Sequence, residues 1–110
     1  MSFLDVYIGE LDDSNFDYDD GDWNGNCPAR KSDFFPRGRE IFRLMINKIE
    51  TGELEGKRVD WGAWIARMLP YEMLTFVSEF YKDTTEAQNI IRFIRQLEPN
   101  KRYALVASEF

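Results

Sequence analysis

The sequence predicts an α+β fold, with about four helices packed on a small sheet formed mainly by the N- and C-terminal strands. Two observations lead to this fold class. Polar and apolar residues alternate at both ends of the chain, and apolar residues recur at helical spacing between them. The 110 residues, 44% of them hydrophobic, are enough to bury one core, so we predict a single domain over residues 1–110.

The two terminal strands are predicted to pair with each other. Over residues 3–8, Leu4, Val6 and Ile8 would face the core while the residues between them face the opposite way. The segment 102–110 is interpreted as the last strand, although a short helix from Asn100 is an alternative. A two-stranded sheet is marginal in water, so helices must cover it, or a homodimer completes it through its edge.

A first helix is predicted over residues 40–50, and its apolar residues form one stripe. Gly52 is placed to end this helix, because glycine readily adopts the left-handed conformation that follows a helix. The connector over residues 53–59 holds at most a short strand. The buried stripe of the helix consists of Ile41, Phe42, Met45 and Ile49.

A second helix is predicted to begin at Asp60, whose carboxylate suits an N-cap. Pro70 then starts a third helix rather than kinking one long helix, since proline is favoured in a first turn. The tryptophans of the second helix are expected to pack in the core. The apolar residues of this helix are Trp61, Trp64, Ile65 and Met68.

The third helix, over residues 70–82, is apolar on nearly every side, which predicts a central position covered by neighbours. Thr85 and Gln88 have the spacing of a capping box and would open a fourth helix. Pro99 ends it. The inward residues of the fourth helix are predicted to be Ala87, Ile90, Ile91, Ile94 and Leu97.

The formal charge of −6 is concentrated near the N-terminus. Residues 1–30 hold eight acids and one base, whereas the other 80 residues carry a net charge of +1. A polar loop is predicted at about residues 10–33, between the first strand and the helical body. Loops longer than ~12–15 residues are uncommon in compact domains and are often functional.

This loop is the predicted partner-binding site. Clustered carboxylates attract a basic partner over long distances, and aromatic residues among them supply anchors that are buried on binding. Direct nucleic-acid binding is not expected, because the acidic field repels phosphates. A simpler alternative is a solvated loop that keeps the protein soluble. The predicted contact residues are Asp12, Asp13, Phe16, Asp17, Tyr18, Asp19, Asp20, Asp22 and Trp23.

We therefore expect a small acidic, non-enzymatic protein-binding module. The favoured type is an inhibitor or immunity protein that docks its loop on a basic surface of a toxin or nucleic-acid-processing protein. The first alternative is a structural protein that self-associates, with its acidic loop meeting the arginine strip of a neighbour. That strip consists of Arg37, Arg39 and Arg43.

The second alternative is a calcium-binding module. Asp20, Asp22 and Asn24 resemble the first half of an EF-hand loop, with alternate oxygen ligands followed by a glycine. The second half does not match, because the position of the bidentate glutamate is occupied by Lys31. We therefore assign no metal to these residues.

Composition excludes several classes of site. With no histidine and only Cys27, the chain has no Ser-His-Asp triad, no zinc site built on histidine or thiolate ligands and no disulfide of its own. We expect neither an enzyme nor a cofactor. No apolar run is long enough to cross a membrane, and the N-terminus lacks the basic region of a signal peptide, so a cytoplasmic location is expected.

Overall fold

The computed structural model describes residues 4–11, 28–58, 63–83 and 85–109, and within these ranges it confirms the α+β class. Three helices, rather than about four, and a sheet of four strands are present in this described part. None of the helices in it is long and apolar enough to cross a membrane. The elements are β1 (Leu4–Gly9), α1 (Gly38–Glu50), β2 (Gly56–Arg58), β3 (Trp64–Met68), α2 (Pro70–Phe80), α3 (Gln88–Arg95) and β4 (Tyr103–Glu109).

The sheet is antiparallel throughout, and its strand order is β1-β4-β3-β2. The predicted pairing of the chain ends is confirmed, with β1 running beside β4 from Leu4 opposite Glu109 to Gly9 opposite Ala104. The C-terminal segment is therefore a strand and not a helix. Because β3 pairs with the other side of β4, the sheet is larger than the two terminal strands that the sequence predicted.

The predicted second helix is wrong, because Trp64–Met68 form strand β3. Ile65 lies opposite Val106 on one face of the sheet, whereas Met68 belongs to the core on the other face. A strand covered on both faces has few polar positions, so its sequence does not show the usual alternation. Trp64 is half-buried against the main core, while Asp60 and Trp61 lie outside the described residues.

Helix α1 has the predicted orientation. Ile41, Phe42 and Met45 are buried, and Ile49 is half-buried at the edge of the same core. The chain leaves the helix through Gly52, whose φ angle of 85° confirms the expected left-handed stop.

Helix α2 begins at Pro70 as predicted, but it is not covered on most sides. Met73, Phe76 and Val77 are buried, whereas Tyr71 is 64% exposed. The helix therefore packs on the core with one face only. The apolar composition of α2 predicted more burial than the structure shows, because half-buried positions also carry large apolar side chains.

The capping box predicted for the last helix is wrong. Residues 85–87 form a turn, in which the Thr85 amide donates to the Asp83 carboxylate at 3.0 Å, and α3 starts only at Gln88. The capping interaction is found instead at α2, where the Glu72 carboxylate accepts a hydrogen bond from the Leu69 amide at 3.0 Å. Three of the predicted inward residues, Ala87, Ile90 and Ile94, are buried, and Ile91 and Leu97 are half-buried.

Apolar side chains are buried on both faces of the sheet. The main core lies between the sheet and the helices and includes Val6, Ile8 and Leu105. A smaller cluster on the opposite face contains Tyr7 and Val106. The alternation predicts that Tyr7 faces away from the main core. It does lie on the opposite face of the sheet, but its side chain is buried there.

Tyr81 joins the ends of the three helices. Its side chain is fully buried, and its hydroxyl donates a hydrogen bond to the carbonyl of Pro36, just before α1. Burial raises the pKa of the Tyr81 hydroxyl well above its ordinary value, so this donor keeps its proton. The Arg37 guanidinium lies 5.6 Å from the centre of the Tyr81 ring and forms an ion pair with Glu86, ahead of α3, at 2.8 Å.

Arg37 therefore does not belong to the predicted arginine strip. It also pairs with Glu40 at 3.1 Å and adopts a left-handed backbone conformation with a φ angle of 53°. All three arginines are exposed, but Arg39 and Arg43 form no ion pair with any described residue. The strip is reduced to these two side chains.

We expect Tyr81→Phe to lower the free energy of unfolding by about 1–3 kcal/mol, because it leaves the Pro36 carbonyl without its buried donor. Tyr71→Phe, which removes the same hydroxyl from an exposed side chain, should change it by less than about 0.5 kcal/mol. Urea unfolding of both variants measures the difference. Equal stabilities would contradict the role of Tyr81.

Candidate functional site

The residues predicted to bind a partner all lie outside the described residues, as do the calcium candidates and Cys27. The structure does describe the residues on either side of them, up to residue 11 and from residue 28 onwards. We call residues 12–27 the acidic segment. The partner-binding candidates in it are Asp12, Asp13, Phe16, Asp17, Tyr18, Asp19, Asp20, Asp22 and Trp23, and the calcium candidates are Asp20, Asp22 and Asn24.

The chain on both sides of the acidic segment is hydrogen-bonded, and we call this region the loop base (residues 7–11 and 28–34). The Glu10 amide donates to the Ala29 carbonyl at 3.1 Å, and Gly9 forms an antiparallel bridge with Arg30. The Lys31 amide donates to the Ile8 carbonyl at 2.9 Å. The described residues that flank the acidic segment therefore meet at the outer edge of β1.

Side chains strengthen the loop base. The Tyr7 hydroxyl donates to the Pro28 carbonyl at 3.2 Å. Ser32 is only 2% exposed, and its hydroxyl oxygen accepts the Ile8 amide at 2.9 Å. The same hydroxyl donates to the Asp33 carbonyl at 2.8 Å, so both of its hydrogen-bonding roles are filled. Nothing in the sequence distinguishes Ser32 from other serines, and we did not predict it.

Gly9 permits the close approach of the two chain segments. A Cβ atom at this position would lie 2.9 Å from the Ala29 carbonyl oxygen and 3.0 Å from Pro28 Cβ. Both distances are shorter than ordinary van der Waals contacts, so any larger residue must push the returning chain away. The glycine is needed for space and not for an unusual backbone angle.

The acid nearest to the acidic segment is neutralised by two lysines. Glu10 Oε1 lies 2.7 Å from Lys31 Nζ, and its Oε2 lies 3.2 Å from Lys101 Nζ. The hydrogen bond from Lys31 lowers the pKa of Glu10 below its ordinary value, and Lys101 adds to this effect. The contact with Glu10 raises the pKa of Lys101. The ion pairs connect the loop base to the chain that enters β4.

An exposed aromatic side chain lies beside the loop base. Phe34 is 44% exposed, and its ring packs edge-on against the ring of Tyr7 with 6.2 Å between the centroids. The Arg30 guanidinium lies over the same ring at 4.8 Å. We did not predict Phe34, because the sequence alone does not show which of the neighbours Phe34 and Phe35 is exposed.

About half of the acids in the described chain are paired with its own basic residues. The described ranges contain all fourteen basic residues and thirteen of the twenty acids. Among these residues, no cluster of three or more possible ligands is placed to hold a metal ion. Seven of the described acids form ion pairs, namely Glu10, Asp33, Glu40, Glu53, Glu55, Glu79 and Glu86.

We expect Gly9→Ala to lower the free energy of unfolding by about 1–3 kcal/mol, because the new methyl group displaces the Ala29 carbonyl. The hydrogen exchange of the Glu10 and Lys31 amides should accelerate more than that of amides in α2. Urea unfolding and exchange mass spectrometry measure both effects. A variant with wild-type stability and exchange would show that the loop base is not tightly closed.

We expect Glu10→Gln to reduce stability at neutral pH by up to about 1 kcal/mol, since the ion pairs are partly exposed. The folded-state pKa of Glu10 is lowered, so its contribution is present above the ordinary pKa of 4.5 and is lost as the pH falls through the lowered value. The free energies of unfolding of the wild type and of Glu10→Gln should therefore become equal in acid. Glu50→Gln, at an exposed residue without an ion pair in the described chain, is the control and should have the stability of the wild type at neutral pH.

Comparison with known proteins adds no residue to this site. No protein-family model matches the chain, and no curated protein or solved structure matches it. We therefore infer its function from its own residues.

Proposed function

We propose that this chain is a small, non-enzymatic protein-binding module of the inhibitor or immunity type. It would dock the acidic segment on a basic surface of a toxin or a nucleic-acid-processing protein. The observation that supports this proposal is the hydrogen-bonded loop base, in which the Glu10 amide donates to the Ala29 carbonyl. Binding residues are commonly carried by loops that a rigid scaffold holds in place.

The charge distribution supports an acidic binding surface at this loop. Six of the seven acids outside the described ranges fall between Asp12 and Asp22, and no basic residue lies outside those ranges. The described body carries a net charge of +1, and about half of its acids are already paired. A basic partner would therefore be attracted to the loop rather than to the protein as a whole.

The exposed side chain of Phe34 favours a partner contact next to the loop. Partly exposed aromatic side chains contribute strongly to protein interfaces when a partner removes them from water. Tyr7 and Arg30 hold the Phe34 ring in place, so little side-chain freedom is lost on binding. A partner that covers the acidic segment and Phe34 together gains both electrostatic attraction and an apolar anchor.

The experiment begins with the identification of a partner. The tagged protein is used as bait in a lysate of its native host, and the captured protein is identified by mass spectrometry and purified. We expect its binding surface to be basic. Capture of a partner with an acidic binding surface would contradict the proposal.

We expect the double variant Asp19→Lys, Asp20→Lys to associate with this partner at least about tenfold more slowly at low salt, with a weaker dependence on ionic strength. The matched control is Glu50→Lys, Glu98→Lys, which changes the net charge equally at exposed acids that have no ion pair in the described chain. Surface plasmon resonance gives both association rates. Equal rates for the two double variants would contradict docking through the loop.

A further inference from the structure

A groove runs between α2 and α3, on the part of the helical layer that faces solvent. Its volume is about 520 Å³, which is in the range of ligand-binding grooves. Leu74 and Ile91 form its half-buried apolar part, and Arg92 and Arg95 form its basic side. We call it the arginine groove.

The two arginines carry charge that the described chain does not neutralise. They are three positions apart on α3, which places them on neighbouring parts of one helix surface. Neither forms an ion pair with any described residue, whereas Arg37, Arg67 and Lys48 all do. Both guanidinium groups are thus available to an added anion.

The remaining lining residues suit a peptide with carboxylates and aromatic side chains. Ser78 and Thr85 supply hydroxyl groups, and Gln88 supplies an amide, so hydrogen-bond donors surround the basic side. Arginine binds carboxylates through two parallel hydrogen bonds and also stacks on aromatic rings. The apolar part of the groove would contact the aromatic rings.

The chain itself contains a segment of this chemistry. Residues 12–23 combine six aspartates with Phe16, Tyr18 and Trp23. We propose that the arginine groove binds the acidic segment of a second copy of this chain. This inference rests on the proposed role of the acidic segment as a binding surface. Arg92 and Arg95 are exposed in the single chain, so the groove is open to another molecule.

The proposed contact joins two different surfaces, so it is heterologous. Each copy offers one acidic segment and one groove, and the same contact repeats from molecule to molecule as a ring or an open chain. A basic partner and the arginine groove then compete for the same aspartates. At high protein concentration, self-association would occupy the acidic segment. A basic partner would then displace the arginine groove from it.

A labelled synthetic peptide of residues 11–24 tests the groove directly. In fluorescence anisotropy at low salt, we expect Arg92→Gln, Arg95→Gln to bind this peptide at least about tenfold more weakly than the wild type. The matched control is Arg39→Gln, Arg43→Gln, which removes the same charge from exposed arginines on α1 and should stay within about twofold. If both double variants bind the peptide equally weakly, the proposal is overturned.

Sedimentation velocity tests the contact between copies. We expect the wild type to associate in a concentration- and salt-dependent manner, and Arg92→Gln, Arg95→Gln to remain monomeric. Asp19→Lys, Asp20→Lys should also be monomeric. An equimolar mixture of these two variants should form dimers only, because one intact segment then meets one intact groove. Circular dichroism melts verify that each variant is folded. A monomeric wild type at all concentrations would overturn the proposal.

The results separate this inference from the proposed function. If the groove variant still self-associates while the Asp19→Lys, Asp20→Lys variant loses its basic partner, the inference is wrong and the proposed function stands. If the peptide binds Asp19→Lys, Asp20→Lys but not the wild type, the groove is occupied by the segment of the same molecule. That outcome would overturn binding between copies.

Discussion

The pairing of β1 with β4 is the constraint on which the rest of the structure depends. It joins the two chain ends, and β4 then accepts β3 on its other side. One face of this sheet is covered by the helices, and the outer edge of β1 is occupied by residues 28–35. Because that edge is already hydrogen-bonded, the residues that flank the acidic segment are held together there, and this edge of β1 is not free.

Charge is divided between two parts of the molecule. The described body holds every basic residue and neutralises many of its own acids, while the excess of acids falls in the segment between Asp12 and Asp22. The groove between α2 and α3 contains Arg92 and Arg95, which form no ion pair with any described residue. The proposed function and the proposed self-association both follow from this division, since each brings the acidic segment to a positive surface.

Several elements could be predicted because short-range patterns specify them. The stripe of α1, the start of α2 at Pro70 and the stop at Gly52 each depend on residues within a few positions. The candidate site was predicted only in part. Composition pointed to the acidic segment, but Ser32 and Phe34 carry no strong local signal, and their roles come from contacts with β1.

By itself, the sequence determined the positions of α1 and α2, the pairing of the chain ends and the location of the negative charge. The tertiary structure decided that residues 64–68 form a strand, that Gly9 and Ala29 meet at the loop base, and that Arg37 pairs with Glu86 and lies beside the buried Tyr81 ring. The physical reason is the same in each case. These features depend on contacts between residues far apart in the chain, and such contacts leave no periodic pattern in the sequence around them.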